Sequence, residues 1–334
     1  MRRIVFVTQQ VDPTHPVLGA AVAKIAALAA RVDEVTVLAL AARPGVLPAN
    51  CRVRTFGAPT QALRGLRFTA ALAPELALRR PAALLAHMSP IYALLAAPLA
   101  RPLGVRLLLW YTQWQTNPLL ERAVRRVDEV LTVDEQSFPY ASAKVRPIGH
   151  GIDIGRFSCA EPPGRDRLRL LALGRYSQVK GYPALIEALR DVDAELVIHG
   201  STETDAERAH EPDVQRLAAV VDGRVTASGP VAPEEVPALL AEADALVSGT
   251  RGGADKVVIE AAAACVPAFS PAPAFAALLP DALRFDDDLP AKLRAFAALS
   301  VAERAALGRE LRARVEEQHS VERWADRVVE AAGL

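Results

Sequence analysis

The sequence predicts an α/β protein made of two doubly wound parallel-sheet domains. Three observations carry this reading. At 334 residues the chain has the length of roughly two domains at about 150 residues each. Short aliphatic runs alternate with helical patterns, and the runs are apolar throughout instead of alternating, as strands buried on both faces are. The rhythm halts in a stretch rich in Gly, Pro and charge at 147–167 and then restarts.

Taken in order, the runs at 4–7, 35–40, 83–86, 105–110 and 130–133 read as strands of the first domain, with helices at 20–30, 61–78, 91–100 and 119–127 between them. The second domain has strands at 168–173, 195–198, 224–227, 245–247 and 283–285, and helices at 182–189, 205–221, 234–242 and 256–264. From Pro290 onward the chain reads as helical and charged, ending in a helix at 321–332. The expected domains are 1–149, with the C-terminal helix 320–334 packing back on it, and 150–319, the two facing across a cleft.

Composition excludes several classes of function. Lys plus Arg number 39 and Asp plus Glu also 39, so the excess of clustered cations that tracks a nucleic-acid backbone is missing. Cys51, Cys159 and Cys265 are odd in number and far apart, which suggests neither a zinc site nor a disulfide framework and fits a reducing cytoplasm. The six histidines show no HxxxH or HxH spacing, so no metal is expected. Residues 82–100 and 261–280 lack Asp, Glu, Lys and Arg, but both are interrupted by prolines and dominated by alanine, so no transmembrane segment is expected. Arg2-Arg3 precedes an apolar run too short for a signal-peptide core.

In open parallel sheets ligands bind beyond the carboxyl ends of the strands, so function is expected in the strand-to-helix loops. In GRYSQVKG at 174–181 a strand ends and two cations, Arg175 and Lys180, flank the loop, as a diphosphate would require; two solvated surface cations fit the same spacing. In SGTRGGADKVVIEA at 248–261, Gly252 and Gly253 permit close backbone approach. Asp255 takes the N-cap position, the amides of Lys256 and Val257 open an anion-binding helix terminus, and Glu260 follows about one turn later. GHGIDIG at 149–155 has the wrong spacing for a dinucleotide fingerprint. Asp191-Val-Asp193 and Asp286-Asp287-Asp288 read as turn and loop.

In their joint order these motifs resemble glycosyltransferase family 4, the retaining nucleotide-sugar enzymes of GT-B fold. The matching features are Leu18-Gly19, the His87 loop, GHGID at 149–153 with Phe157, GRYSQVKG, Gly229-Pro-Val231 and DKVVIEA at 255–261. The resemblance implies a metal-independent hexosyltransferase without cofactor, moving sugar from a nucleoside diphosphate to a hydroxyl acceptor: a small molecule, polysaccharide or lipid-linked compound. It assigns Arg175 and Lys180 to the diphosphate, the amides of Lys256 and Val257 to the phosphates, and Glu260 to the ribose. The stretch at Val231 goes to the base, Gly19 to close approach at the first loop, and His87 to the reacting sugar.

The chain departs from the family pattern at two places. Gly252 stands where the family often has a glutamate eight residues before the second one, with Asp255 the candidate substitute, and Gln113 stands where a histidine is common. Both leave the donor sugar open and keep a second reading alive: a non-catalytic nucleotide-sugar-binding partner subunit. The segment 52–80 carries six arginines against Glu75, with Leu63, Leu66 and Phe68 nearby. It is the candidate for peripheral membrane contact, and a solvated amphipathic helix fits it equally.

Overall fold

The computed structural model describes residues 1–334 except 16, 17, 160 and 222; residue 160 lies within the stretch read as a linker. The chain divides into two compact units, Met1–Asp153 with His319–Leu334, and Ile154–Gln318.

Unit 1 contains β1 (Arg3–Val11), α1 (Ala20–Ala29), β2 (Glu34–Ala42), β3 (Cys51–Thr55), α2 (Gln61–Pro74), β4 (Ala83–His87), α3 (Pro90–Ala100), β5 (Arg106–Trp110), α4 (Pro118–Arg126), β6 (Glu129–Thr132) and β7 (Val145–Pro147). Its seven strands lie in the order β3-β2-β1-β4-β5-β6-β7, all neighbours parallel, so the winding reverses between β1 and β4. Central strands are apolar because helices cover both faces. Ile4 to Val7 and all of β4 are buried, and Phe56, Phe68 and Tyr92 cluster beneath α2 and α3 with ring centroids 4.8–5.3 Å apart. Side-chain caps fix the helix starts: Thr60 accepts the Leu63 amide at α2, and Asn117 accepts that of Leu120 at α4.

Unit 2 contains β8 (Leu168–Arg175), α5 (Tyr182–Ala188), β9 (Ala194–Ser201), α6 (Asp205–Ala219), β10 (Val225–Ser228), α7 (Val236–Ala241), β11 (Ala245–Val247), α8 (Lys256–Ala263), β12 (Ala268–Phe269), α9 (Leu289–Ala297) and α10 (Val301–Gln318). The sheet order β10-β9-β8-β11-β12 is again all parallel, with Leu168 opposite Ala194 and Ala245 opposite Leu170. Its winding reverses between β8 and β11.

The differences from the sequence reading have physical causes. The edge strands β3 and β7 are short and half exposed, so they carry no apolar run. Residues 283–285 do not form a strand: Leu283 ends a 3₁₀ turn and Arg284 makes one isolated bridge to Ser270, while β12 supplies the edge. The helix expected over 61–78 ends as an α-helix at Pro74, which has no amide hydrogen to donate, and continues as a π-turn over Glu75–Arg79.

The cysteine expectation is corrected. Cys159 and Cys265, 106 residues apart, form a disulfide within unit 2, and Cys51 is free. Sequence spacing carries no trace of a bond made by tertiary folding, so the cysteines give no support to a reducing compartment. No helix among the described residues is long and apolar enough to cross a membrane.

The last helix, α11 (Val321–Ala331), belongs to unit 1. The His319 carbonyl accepts the amides of Gly151 and Ile152, Trp324 packs edge-on to Trp110 at 5.7 Å, and the buried Lys24 ammonium lies over both indoles. The Nδ1 of His319 accepts the His150 amide, and burial, reinforced by Arg327, lowers its pKa to about 4 from the ordinary 6.5. The imidazole is therefore neutral when folded, and the unfolded chain takes up the proton first as pH falls. The stability that His319 contributes is complete above about pH 6.5 and is lost between there and about pH 4, roughly 3 kcal/mol. Urea midpoints measured across that window are expected to fall, and His319→Gln to flatten the decline. A pH-independent midpoint in the parent protein contradicts this.

Candidate functional site

The two loops at the winding reversal of unit 2 are joined by an ion pair. Lys180 closes a 3₁₀ turn, Gln178–Lys180, between β8 and α5, and Asp255 precedes α8 after β11. Lys180 Nζ donates to both carboxylate oxygens of Asp255, at 2.9 and 2.8 Å, and the hydroxyls of Ser248 and Thr250 donate to Oδ2 at 2.8 and 3.1 Å. Both charged groups are largely buried, with side-chain exposures of 15% and 9%. Burial pushes the Asp255 pKa up, but Lys180 and the two hydroxyls outweigh it, so the carboxyl titrates below its ordinary value. Gly174, at φ +148°, makes room for the lysine: a Cβ there would stand 2.7 Å from Lys180 Nζ.

This pairing decides what the Asp255 side chain does. The residue occupies the N-cap position of α8, but its side chain makes no capping hydrogen bond, because its oxygens are held by Lys180, Ser248 and Thr250. The amides of Lys256 and Val257 consequently have no acceptor among the described residues. An uncapped helix start whose first amides are open is a site for an anion.

Each cation of these loops faces a carboxylate. Arg175 donates to Glu207 Oε1 at 2.6 Å, and the other oxygen of Glu207 accepts the amides of Glu203 and Thr204 in the capping box of α6. Lys256 Nζ lies 2.7 Å from Glu260 Oε1, and Glu260 is buried. Arg251 reaches Asp287 at 3.4 Å. Glu207, Ser248 and Thr250 were not singled out from sequence; Thr204-x-x-Glu207 before a helix was the available signal for the first, and nothing marked the other two.

The remaining candidates lie around these. Gly252 and Gly253 are in the turn before α8, with Gly253 at φ +73°, and Val231 is half-buried in the loop after β10, where the Ser228 carbonyl accepts the Tyr176 hydroxyl. Tyr182 is buried beside Asp255, and its hydroxyl has no partner among the described residues. Replacing Asp255 by alanine strands a largely buried ammonium, so unfolding free energy should fall by about 3 kcal/mol. An Asp255→Ala/Lys180→Met double variant should recover part of it; equal losses in the single and double variants would show that the pair is not coupled.

Gly19 and His87 belong to unit 1, at the carboxyl edge of its sheet. Gly19 starts α1 where a Cβ would meet the carbonyl oxygens of Pro13 and His15 at 2.6 and 2.7 Å. His87 ends β4 at the winding reversal, beside Thr8 of β1 at 3.4 Å and stacked on Phe6. It is buried, and burial together with Lys24 drives its pKa well below the usual histidine value, so the ring is neutral. Its Nε2 has no partner among the described residues. Gln113 accepts from the Tyr111 hydroxyl at 3.0 Å. In the 52–80 segment, Arg52 and Arg79 pair with Glu34, and Arg54 and Arg79 with the buried Glu75. Among the described residues, no three His, Cys, Asp or Glu side chains are grouped to hold a metal ion.

The fold is that of the GT-B glycosyltransferases, and residues 167–281, which carry the loops just described, match the family Glycosyl transferases group 1. Sucrose-phosphate synthase from Thermosynechococcus elongatus is similar across 99% of this chain and 98% of its own, at 16% identity and TM-score 0.78. Anabaena Alr3699/HepE, solved in complex with UDP-glucose, is similar over the whole of both chains at 15% identity and TM-score 0.76. A glycosyltransferase from Rickettsia africae is similar over 99% and 97% at 11% identity and TM-score 0.76. No curated protein sequence matches the chain.

Proposed function

We propose that the chain is a retaining glycosyltransferase that moves a hexose from a nucleoside-diphosphate sugar to a hydroxyl acceptor. The observation that carries this is the start of α8, where Asp255 turns away to hold Lys180 and leaves the Lys256 and Val257 amides open at the reversal of the unit 2 sheet. A diphosphate satisfies those amides, and Lys180 and Arg175 take up the charge that grows on it as the bond to the sugar breaks. The acceptor oxygen bonds to the anomeric carbon on the face the diphosphate leaves, and the acceptor proton passes to the departing phosphate. No step in this scheme uses a metal ion.

Glu260 accepts the ribose hydroxyls, the backbone at Val231 contacts the base, Gly252 and Gly253 allow close approach, Gly19 does so at the first loop, and His87 serves the reacting sugar. The UDP-glucose bound to the Anabaena protein supports a uridine donor here. The membrane contact expected of 52–80 is not carried into this reading, since Arg52, Arg54 and Arg79 are tied to Glu34 and Glu75.

One observation favours the second reading, a binding subunit without turnover: Arg175, Lys180 and Lys256 each already face a carboxylate. Thermal unfolding in the presence of chelator with UDP, GDP, dTDP and ADP and their sugar conjugates, followed by product analysis, separates the two. A ligand of the native state raises the melting temperature by mass action. Stabilisation by one base with sugar transfer supports the enzyme, stabilisation without transfer supports the subunit, and no stabilisation by any of them contradicts both.

A further inference from the structure

We infer that unit 1 carries a second anion site, separate from the loops above, that takes a phosphate-bearing polyanion in a cavity between α3 and α4. The cavity has a volume of about 570 Å³, and Arg101, Arg122, Arg125 and Arg126 line it, with Leu94 and Pro98 among its apolar walls. It lies at the amino edge of the sheet. Arg101 begins the turn that leads into β5, and Arg126 ends α4 three residues before β6 starts. His87 closes β4 at the opposite, carboxyl edge.

The charge arrangement has no account within the fold. Acidic and basic residues balance in the whole chain, yet four arginines line this cavity, and one carboxylate beside it, Glu121, pairs with Arg125 at 3.0 Å. The guanidinium groups of Arg101, Arg122 and Arg126 have no ion-pair or hydrogen-bond partner among the described residues. Arg122 and Arg126 are four apart on one helix, a spacing at which like charges destabilise it.

Basic residues often end a helix because they meet its open carbonyls. At α4 that task is taken by Lys144, whose Nζ donates to the carbonyls of Val124 and Val127 at 3.2 and 2.7 Å. The arginines are thus surplus to the helix end and line one cavity. Planar guanidinium groups match phosphate oxygens in pairs, and the apolar walls admit a carbon skeleton beside the charge. A lipid headgroup and a soluble polyphosphate share this chemistry.

The test uses the full chain and reads only the difference made by R101A, R122A and R126A, so that anion binding at unit 2, common to both proteins, cancels. Calorimetric titration with inorganic tripolyphosphate at low salt, and flotation with phosphatidylglycerol against phosphatidylcholine vesicles, are each compared with a variant that adds R101A, R122A and R126A. These side chains are exposed, and unchanged circular dichroism confirms the fold. The site is expected to bind at least one anionic probe, and the triple substitution to weaken that binding on the order of 100-fold by removing three charge-assisted contacts. Weakened binding of vesicles alone assigns the site to a headgroup, and weakened binding of tripolyphosphate alone to a soluble ligand; both support it. Binding of neither probe, or binding that the triple substitution leaves unchanged, overturns it.

Discussion

Lys180→Ala is expected to lower turnover by about 10²- to 10³-fold, the loss typical when one preorganised group that stabilises developing charge is removed. The proposal gives this ammonium the leaving diphosphate, so the effect should fall mainly on kcat, with a smaller weakening of nucleotide binding. The substitution also strands Asp255, whose burial has been compensated by Lys180. A Lys180→Ala/Asp255→Asn variant removes that stranded carboxylate and should fold normally while staying slow. The assay is turnover of whichever nucleotide sugar most stabilises the native protein. Retention of more than about a tenth of the parent rate in both variants would remove Lys180 from the chemistry, since a tenfold change is only about 1.4 kcal/mol of transition-state stabilisation.

Reduction of the Cys159–Cys265 bond is expected to be the largest single loss of stability. The two residues are 106 apart, and closing a loop of that length lowers the entropy of the unfolded chain by an amount worth roughly 4–5 kcal/mol. The bond ties the segment that opens unit 2 to the end of α8. Arg312 of α10 spans the same two segments, donating to the carbonyls of Phe157 and Ala263. Reduced protein should therefore keep its local geometry through Arg312 while unfolding at a clearly lower urea concentration. Cys159→Ser/Cys265→Ser should match the reduced parent, and Arg312→Ala should add to its loss. Equal midpoints with and without reductant would mean that the bond does not constrain the unfolded chain.

The fold was legible because a parallel sheet covered on both faces leaves a strong imprint: β1, β4, β5 and β8 are apolar runs that no helix or loop imitates. The half-exposed β3 and β7 left none, and Cys51, Val53 and Thr55 alternate with arginines that serve Glu34 and Glu75. In the site, the loops and their glycines could be located, since a strand that ends in glycine before a helix is a local pattern. Partner choice could not. Local sequence offers Asp255 as a helix cap, and only the fold brings Lys180 within 2.8 Å to take its carboxylate instead. The same holds for Arg175 with Glu207, 32 positions along the chain, and for the two bonded cysteines. Charge pairs and disulfides between distant segments are set by how the sheet is wound, and residue type records only that each group needs a partner.

In the proposed function a nucleoside diphosphate binds at the open start of α8. Backbone amide resonances of isotopically labelled protein, followed while UDP is added in the presence of chelator, test this most directly. The Lys256 and Val257 amides are expected to shift together and saturate at one equivalent, and to need more UDP for the same shift in the Lys180→Ala/Asp255→Asn variant. UDP binding that leaves those two amides unmoved would contradict it.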